Sequence, residues 1–178
     1  MPVLKTERLL LRPLTASDAP AAFAWSGDER VTRFLGYATY ASVEDVRRWL
    51  ESVQNPRTND PFLFGIVRRS DALLIGSISV RRTDGDPATW SFGYCLRHDC
   101  WHQGYATEAA RAVLRYAHDV HGAMRFQAEH AVENPASGRV IEKCGLRFDH
   151  FGAYAKRDGS KVFPSKVYTG DAADMFRP

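Results

Sequence analysis

Cysteine is scarce in this chain of 178 residues: Cys95, Cys100 and Cys144 are odd in number, and no two have C-x-x-C spacing. That speaks against a disulfide framework and a structural zinc site, and fits buried thiols in a reducing compartment. No metal is expected. Long apolar runs are missing too. The N-terminus "MPVLKTERLLLRPL" has no apolar h-region, and nothing approaches the roughly 18 apolar residues of a membrane span. A cytoplasmic location and no membrane partner are therefore expected. Nor is charge of one sign in excess: the net charge is +3 and no basic stripe stands out, which argues against a nucleic-acid partner. Repeats, low-complexity tracts and linkers are absent. What remains, 44% apolar and 25% charged, is the balance of an ordinary globular protein, and a single domain over residues 1–178 is expected.

The pattern along the chain alternates strands and helices. "RLLLRPL" is a short Leu-rich strand closed by Pro13. "TASDAPAAFAWSGD" follows as a helix capped by Thr15 or Ser17, and "SVEDVRRWLESV" as a second, where Ser42 and Asp45 resemble a capping box. Strands at 62–69, 73–82 and 89–96 are separated by the turn segments "SDA" and "TDGDPA", so consecutive antiparallel hairpins are expected. A helix over 104–120 stops at Gly122, and the strand "RFQAEHAV" follows. A short helix begins at Asn134, with Pro135 at its first position and Gly145 beyond its end. "LRFDHFGAY" and "KVFPSKVYT" form a last hairpin across "KRDGS". The order predicts an α+β (mixed α/β) fold: one mixed, mostly antiparallel sheet with one parallel strand pair and helices on both faces.

The stretch "CWHQGYATEAARAVLRYA" (100–117) carries the first chemical signal. An irregular loop turns into an amphipathic helix whose apolar stripe is Ala106, Ala109, Ala110, Val113, Leu114 and Ala117. The first amides of such a helix lack intrahelical partners and point along its positive end, which suits phosphate oxygens. Gly104 would let an anion come close to the backbone. The plainer alternative is that Gly104 only caps a tight turn. No G-K-[ST] follows, so it is not a Walker loop, and no G-x-G-x-x-G marks a dinucleotide site. About 30 residues on, "ENPASGRVIEKCGLRF" supplies a second helix start with Asn134 and Ser137 at its mouth. Two helix starts at the same end of a parallel strand pair make a cleft between splayed strands.

These segments, with "TERLLLRPL" and "FGYCL", resemble the GNAT acyl-CoA-dependent N-acetyltransferases, in particular the branch named for ribosomal-protein N-terminal acetyltransferases (RimJ/RimL-like), over residues 4–169. The resemblance implies a GNAT-like domain with a splayed parallel pair and acetyl-CoA as co-substrate. Its pyrophosphate loop, Q/R-x-x-G-x-G/A, is matched at Gly104 and Ala106, with Trp101 where Gln or Arg is typical. It further implies that amides of His102, Gln103, Gly104, Ala106 and Thr107 hold the pyrophosphate. Leu96 and neighbouring backbone would pair with the pantetheine arm, Asn134 would bond it, and Ser137 would sit near the sulfur.

Thioester acetylation of an amine needs a neutral amine, a polarised carbonyl and a protonated leaving thiolate. Family members transfer directly. A bulged strand amide near Cys95–Leu96 is expected to polarise the carbonyl. Glu129 is the candidate base, its plainer alternative being an exposed strand carboxylate. His130 points to the opposite face by strand alternation, so only one of the two can serve; Glu108 or a water chain would come next. Related chains often carry Glu where this one has Ser91. Ser137 is the candidate donor to the thiolate, since Ile141 stands where some relatives have Tyr; a helix-start hydroxyl is its plainer reading. Cys95 has no His partner in sight and is not read as a nucleophile, and His118 and His121 are read as a solvated pair. Phe23, Trp25, Phe34, Tyr37 and Tyr40 wall an acceptor pocket or simply fill core. The acceptor is a protein N-terminus or a small-molecule amine; a non-catalytic acyl-CoA-binding module is the competing reading. Oligomeric state is open, a homodimer being one option.

Overall fold

Eight strands and six helices are seen in the computed structural model, which describes residues 1–53, 62–83 and 85–177. Strands β1 (Leu4–Lys5), β2 (Leu9–Pro13), β3 (Phe62–Arg68), β4 (Leu73–Thr83) and β5 (Asp86–Leu96) are laid side by side. Then come β6 (Arg125–Ala131), β7 (Arg147–Ala155) and β8 (Val162–Asp171), giving one sheet of order β1-β2-β3-β4-β5-β6-β8-β7. Among the described residues only β5 and β6 pair in parallel; every other neighbour pair is antiparallel. The last strand thus inserts between β6 and β7, and the expected mixed sheet is present.

Helices cover both faces. On one lie α4 (Tyr105–His121) and α5 (Pro135–Lys143), packed on a core that includes Phe64, Ile66, Ile78, Trp90 and Phe126. The expected stripe of α4, from Ala106 to Ala117, is buried throughout. Its alanines let the helix sit close to the strands. On the other face lie α1 (Ala19–Ser26), α2 (Glu29–Thr32) and α3 (Val43–Val53) around Trp25, Val46, Leu50 and Leu74. A four-residue α6 (Ala172–Met175) ends the chain. Among the described residues no helix is long and apolar enough to cross a membrane.

Local chemistry explains most boundaries. Asp18 accepts the amide and hydroxyl of Thr15 (2.8 and 3.0 Å) and a two-pronged clamp from Arg12 (2.8 and 2.7 Å). That turns residues 16–18 into a tight 3₁₀ turn, so α1 starts at Ala19, later than expected. Ser42 caps α3 by accepting the Asp45 amide at 3.2 Å, as the sequence suggests. The segment "TDGDPA" is shorter as a turn than expected. Asp86 accepts the Ala88 amide (2.9 Å) and the Thr89 hydroxyl (2.6 Å), and this brace lets β5 begin at Asp86. Asp84, in the same segment, lies outside the described residues.

Gly76 on β4 faces Leu96, the last residue of β5. A Cβ there would stand 2.2 Å from the Cys95 carbonyl oxygen, a backbone atom that no rotamer change can move away. Gly76→Ala is therefore expected to destabilise the fold by about 1–3 kcal/mol, the range of an overpacked core, read as a lower midpoint in urea unfolding. A wild-type midpoint would mean that β5 shifts freely.

Candidate active site

The cleft arises where the parallel pairing stops. β5 and β6 are joined only at Thr89–Ser91 and Arg125–Gln127. Beyond that, β5 keeps to β4 as far as Leu96, and β6 keeps to β8, where Glu129 faces Val167 and Ala131 faces Ser165. The opening has a volume of about 1060 Å³. Antiparallel ladders alternate bonded and non-bonded pairs. The bond from the Arg97 amide to the Ile75 carbonyl (2.8 Å) sets the phase, so Tyr94 and Leu96 turn their backbone amides away from β4 and into the gap. The expected bulge near Cys95–Leu96 is not there: the register runs unbroken from Gly76–Leu96 to Arg82–Trp90, and the splay, not a bulge, frees the strand amides. The Leu96 carbonyl accepts from the Trp101 indole at 3.0 Å.

At one end of the gap sits the loop before α4. Gly104, at φ +82°, is the N-cap of α4 and provides no side-chain cap, so the first-turn amides of Tyr105, Ala106 and Thr107 face outward. His102 also has a left-handed backbone, at φ +60°. No local sequence pattern indicates what holds this loop. Arg8 reaches across from the N-terminal hairpin: its Nη1 donates to the Gln103 carbonyl (2.9 Å) and its Nε to Glu108 (2.7 Å). Glu108 also accepts from the Thr6 hydroxyl (2.6 Å) and the Arg8 amide (2.9 Å). Its oxygens are committed, so it belongs to the scaffold of the loop. Burial pushes the Glu108 carboxyl up, but the bonds from Thr6 and Arg8 outweigh it and hold it below the ordinary value. His102, Arg139 and Lys143 line the cleft and form no ion pair among the described residues.

At the start of α5, Asn134 accepts the Ser137 amide through Oδ1 (3.3 Å), which leaves its amide nitrogen as a donor at the cleft edge. The Ser137 hydroxyl accepts from the Tyr94 phenol at 3.3 Å, across the gap from β5. Burial pushes the Tyr94 phenol up to about 12, so it stays a neutral donor. Tyr94 lies inside the quoted "FGYCL", but only the splay brings it to Ser137.

Glu129 is exposed in the cleft, and the Ser165 hydroxyl donates to its Oε2 at 3.0 Å. His130 is buried on the other face, its Nδ1 2.7 Å from the Ala131 carbonyl and its Nε2 3.5 Å from the Tyr168 phenol. Cys95 is buried beside Ser77 (3.2 Å), and burial pushes its thiol up, which suits no nucleophile. His118 and His121 turn to the Ala123 carbonyl (2.8 Å) and the Tyr116 phenol (2.9 Å), and no metal-binding cluster occurs among the described residues. The aromatic group divides. Phe34 lines the cleft, Trp25 is core, and Tyr37 and Tyr40 stack with Trp49 in a separate surface pocket.

The outward amides of α4, the Arg139 and Lys143 side chains along the cleft and the free strand amides fit a long, phosphorylated co-substrate threaded between β5 and β6, as in an acyl-CoA-dependent transferase. The model of the acetyltransferase (GNAT) domain matches residues 8–147, and the chain belongs to that family of N-acetyltransferases, whose acyl donor is acetyl-CoA. It is 31% identical over 150 residues to YoaA of Bacillus subtilis, an uncharacterized N-acetyltransferase, covering 82% of this chain and 83% of that one. A GNAT-family acetyltransferase structure from Bacillus anthracis superposes with a TM-score of 0.83 at 25% identity, over 96% of this chain and 98% of the other. The fold is shared as well with a spermidine N-acetyltransferase from Vibrio cholerae, solved with CoA and spermine (TM-score 0.81, 15% identity, 97% and 100% coverage).

Two outcomes test the loop. Gly104→Val forces a β-branched residue into a left-handed backbone and places a Cβ 3.3 Å from Arg8, so the rise in melting temperature on adding CoA should vanish. Retention of the full rise would show that the loop holds nothing. Glu108→Gln should cost about 1 kcal/mol at pH 7. A lowered carboxyl stabilises above its unfolded-state value and loses that stability as pH falls through its folded one. The gap to wild type should therefore close as the pH drops below about 4.5 in denaturant titrations.

Proposed function

We propose that the chain moves an acetyl group directly from acetyl-CoA to a primary amine, with Glu129 as base and Ser137 as acid. The observation that carries this is the pair of anchored groups on the cleft walls: Glu129 fixed by Ser165, and Ser137 oriented by Tyr94. Bound acetyl-CoA supplies the activated acyl thioester. The amides of His102, Gln103, Gly104, Ala106 and Thr107 would hold its pyrophosphate; Leu96 and Asn134 would hold the pantetheine arm.

Each side chain then has one task. An amine arrives protonated. Glu129 takes that proton on Oε1, because Ser165 already occupies Oε2. The inward amide of Tyr94 or Leu96 donates to the acyl oxygen as it gathers charge. Ser137 accepts from Tyr94, so its own hydrogen is the one left to give to the departing sulfur, and the second proton shed by the attacking nitrogen returns to the Ser137 oxygen. The acceptor is a protein N-terminal α-amine or a small-molecule amine. The shared fold of a ribosomal-protein-S5-alanine acetyltransferase from Vibrio fischeri (TM-score 0.77, 17% identity) is compatible with the RimJ/RimL-like branch. Three buried free thiols support residence in the reducing cytoplasm.

CoA release measured over a panel of amines tests the reading directly. Glu129→Gln should keep CoA binding and lose about two to four orders of magnitude in rate at neutral pH, the usual share of general acid–base catalysis. Raising the pH, which supplies free amine, should shrink that loss. Ser137→Ala should lower the rate less, with no relief at high pH. Wild-type rates and an unchanged pH profile in Glu129→Gln would place the base elsewhere.

A further inference from the structure

The cleft half away from the α4 and α5 N-termini is walled by the segment after α2 and by the β7–β8 hairpin. The hairpin grips that segment at several points. The Tyr154 hydroxyl donates to the Phe34 carbonyl (2.7 Å), and the Arg157 amide donates to that of Gly36 (2.9 Å). The Lys156 ammonium donates to the carbonyls of Thr32 and Tyr37, both at 3.3 Å. Lys156 is half-buried and lines the cleft, and it forms no ion pair among the described residues. Asp158 feels its charge but spends an oxygen on the amide and hydroxyl of Ser160 (3.0 and 2.7 Å). Lys161 lines the same cleft over the Phe163 ring and is likewise without an ion pair.

Two other cations nearby are paired. Arg30 pairs with Asp28 at 2.6 Å and Arg33 with Glu133 at 3.2 Å. Glu29 lines the rim, and Glu129 lines the interior. The acceptor half thus offers an inner carboxylate and, on the hairpin, two ammonium groups with no acid against them. An amine that is cationic at several nitrogens would meet like charge there.

We propose that the acceptor is a primary amine bearing a carboxylate, its ammonium facing Glu129 and its carboxylate facing Lys156. This rests on the amine-acetylation reading above and narrows its substrate class. An ammonium with two carbonyl partners keeps a third N–H to give. A charge-assisted bond of that kind, partly shielded from water, discriminates by about tenfold or more.

The experiment compares matched acceptors on the full chain by CoA release: amino acids against their carboxamides, short peptides that begin with an acidic side chain against neutral ones, and spermidine. Acid members should be preferred at least tenfold in kcat/KM. Preference among the small pairs identifies a free amino acid, and preference confined to the peptides identifies an acidic chain terminus. Lys156→Met should raise KM for the acid far more than for its amide, and Lys156→Arg should restore the preference; a merely structural role would move both acceptors together. A second readout needs no turnover. N-acetylated carboxylates should raise the melting temperature of CoA-saturated protein more than their amides do, and Lys156→Met should remove the difference. Should that variant not fold, Lys161→Met should narrow the same difference. Equal response to acids and amides, or preference for spermidine, overturns this inference. Absence of any CoA response overturns the earlier reading instead.

Discussion

The chemistry depends on how briefly two strands stay together. β5 and β6 share three residue pairs and then part, each held by its other neighbour. A longer parallel ladder would consume the backbone amides of Tyr94 and Leu96 and bring the walls into contact. Stopping it leaves unpaired donors inside the protein, which costs free energy unless a ligand or water satisfies them. A sheet that keeps such a gap is prepared for something extended to lie in it. The helices follow from the same opening, because α4 and α5 begin at the two sides of its mouth and turn their amide-rich ends toward it.

Rigidity at the mouth comes from residues distant in sequence. Arg8 and Glu108 join the N-terminal hairpin to the first turn of α4, and Trp101 ties the loop back to the Leu96 carbonyl. Binding to a loop already fixed in this way loses little conformational entropy. Gly104 takes its left-handed backbone at no steric cost, whereas His102, at φ +60°, takes one that non-glycine residues seldom adopt.

What the sequence could show follows from the range of the forces. The α4 stripe, the Ser42 and Asn134 caps and the stop at Gly122 rest on contacts within a few residues, and each is found where its pattern put it. The position of Gly104 at the start of α4 was legible because a helix start with no capping side chain is a local fact. The Tyr94–Ser137, Ser165–Glu129 and Arg8–Glu108 bonds span 43, 36 and 100 residues and leave no periodic trace. The expected strand bulge was a local device for a problem the sheet solves globally. The aromatic run at 23–40 divided among core, cleft and side pocket because composition alone does not say which face a loop residue takes. The late start of α1 has another cause: the Arg12–Asp18 clamp tightens a turn that helix propensity would have made regular.

Strand alternation puts Glu129 and His130 on opposite faces but cannot say which face is open. Packing decides. His130 is buried against α5, with Gly138 so close that a Cβ would stand 2.6 Å from its ring. The face of Glu129 is covered instead by a loop and a hairpin held by a few hydrogen bonds to backbone carbonyls. Those bonds are far easier to rearrange than the packing of a helix on a sheet. The proposed base therefore sits on the face held by the more easily rearranged bonds, while the loop before α4 is braced. One face of β6 is spent on packing against α5, which leaves the other for the proposed chemistry.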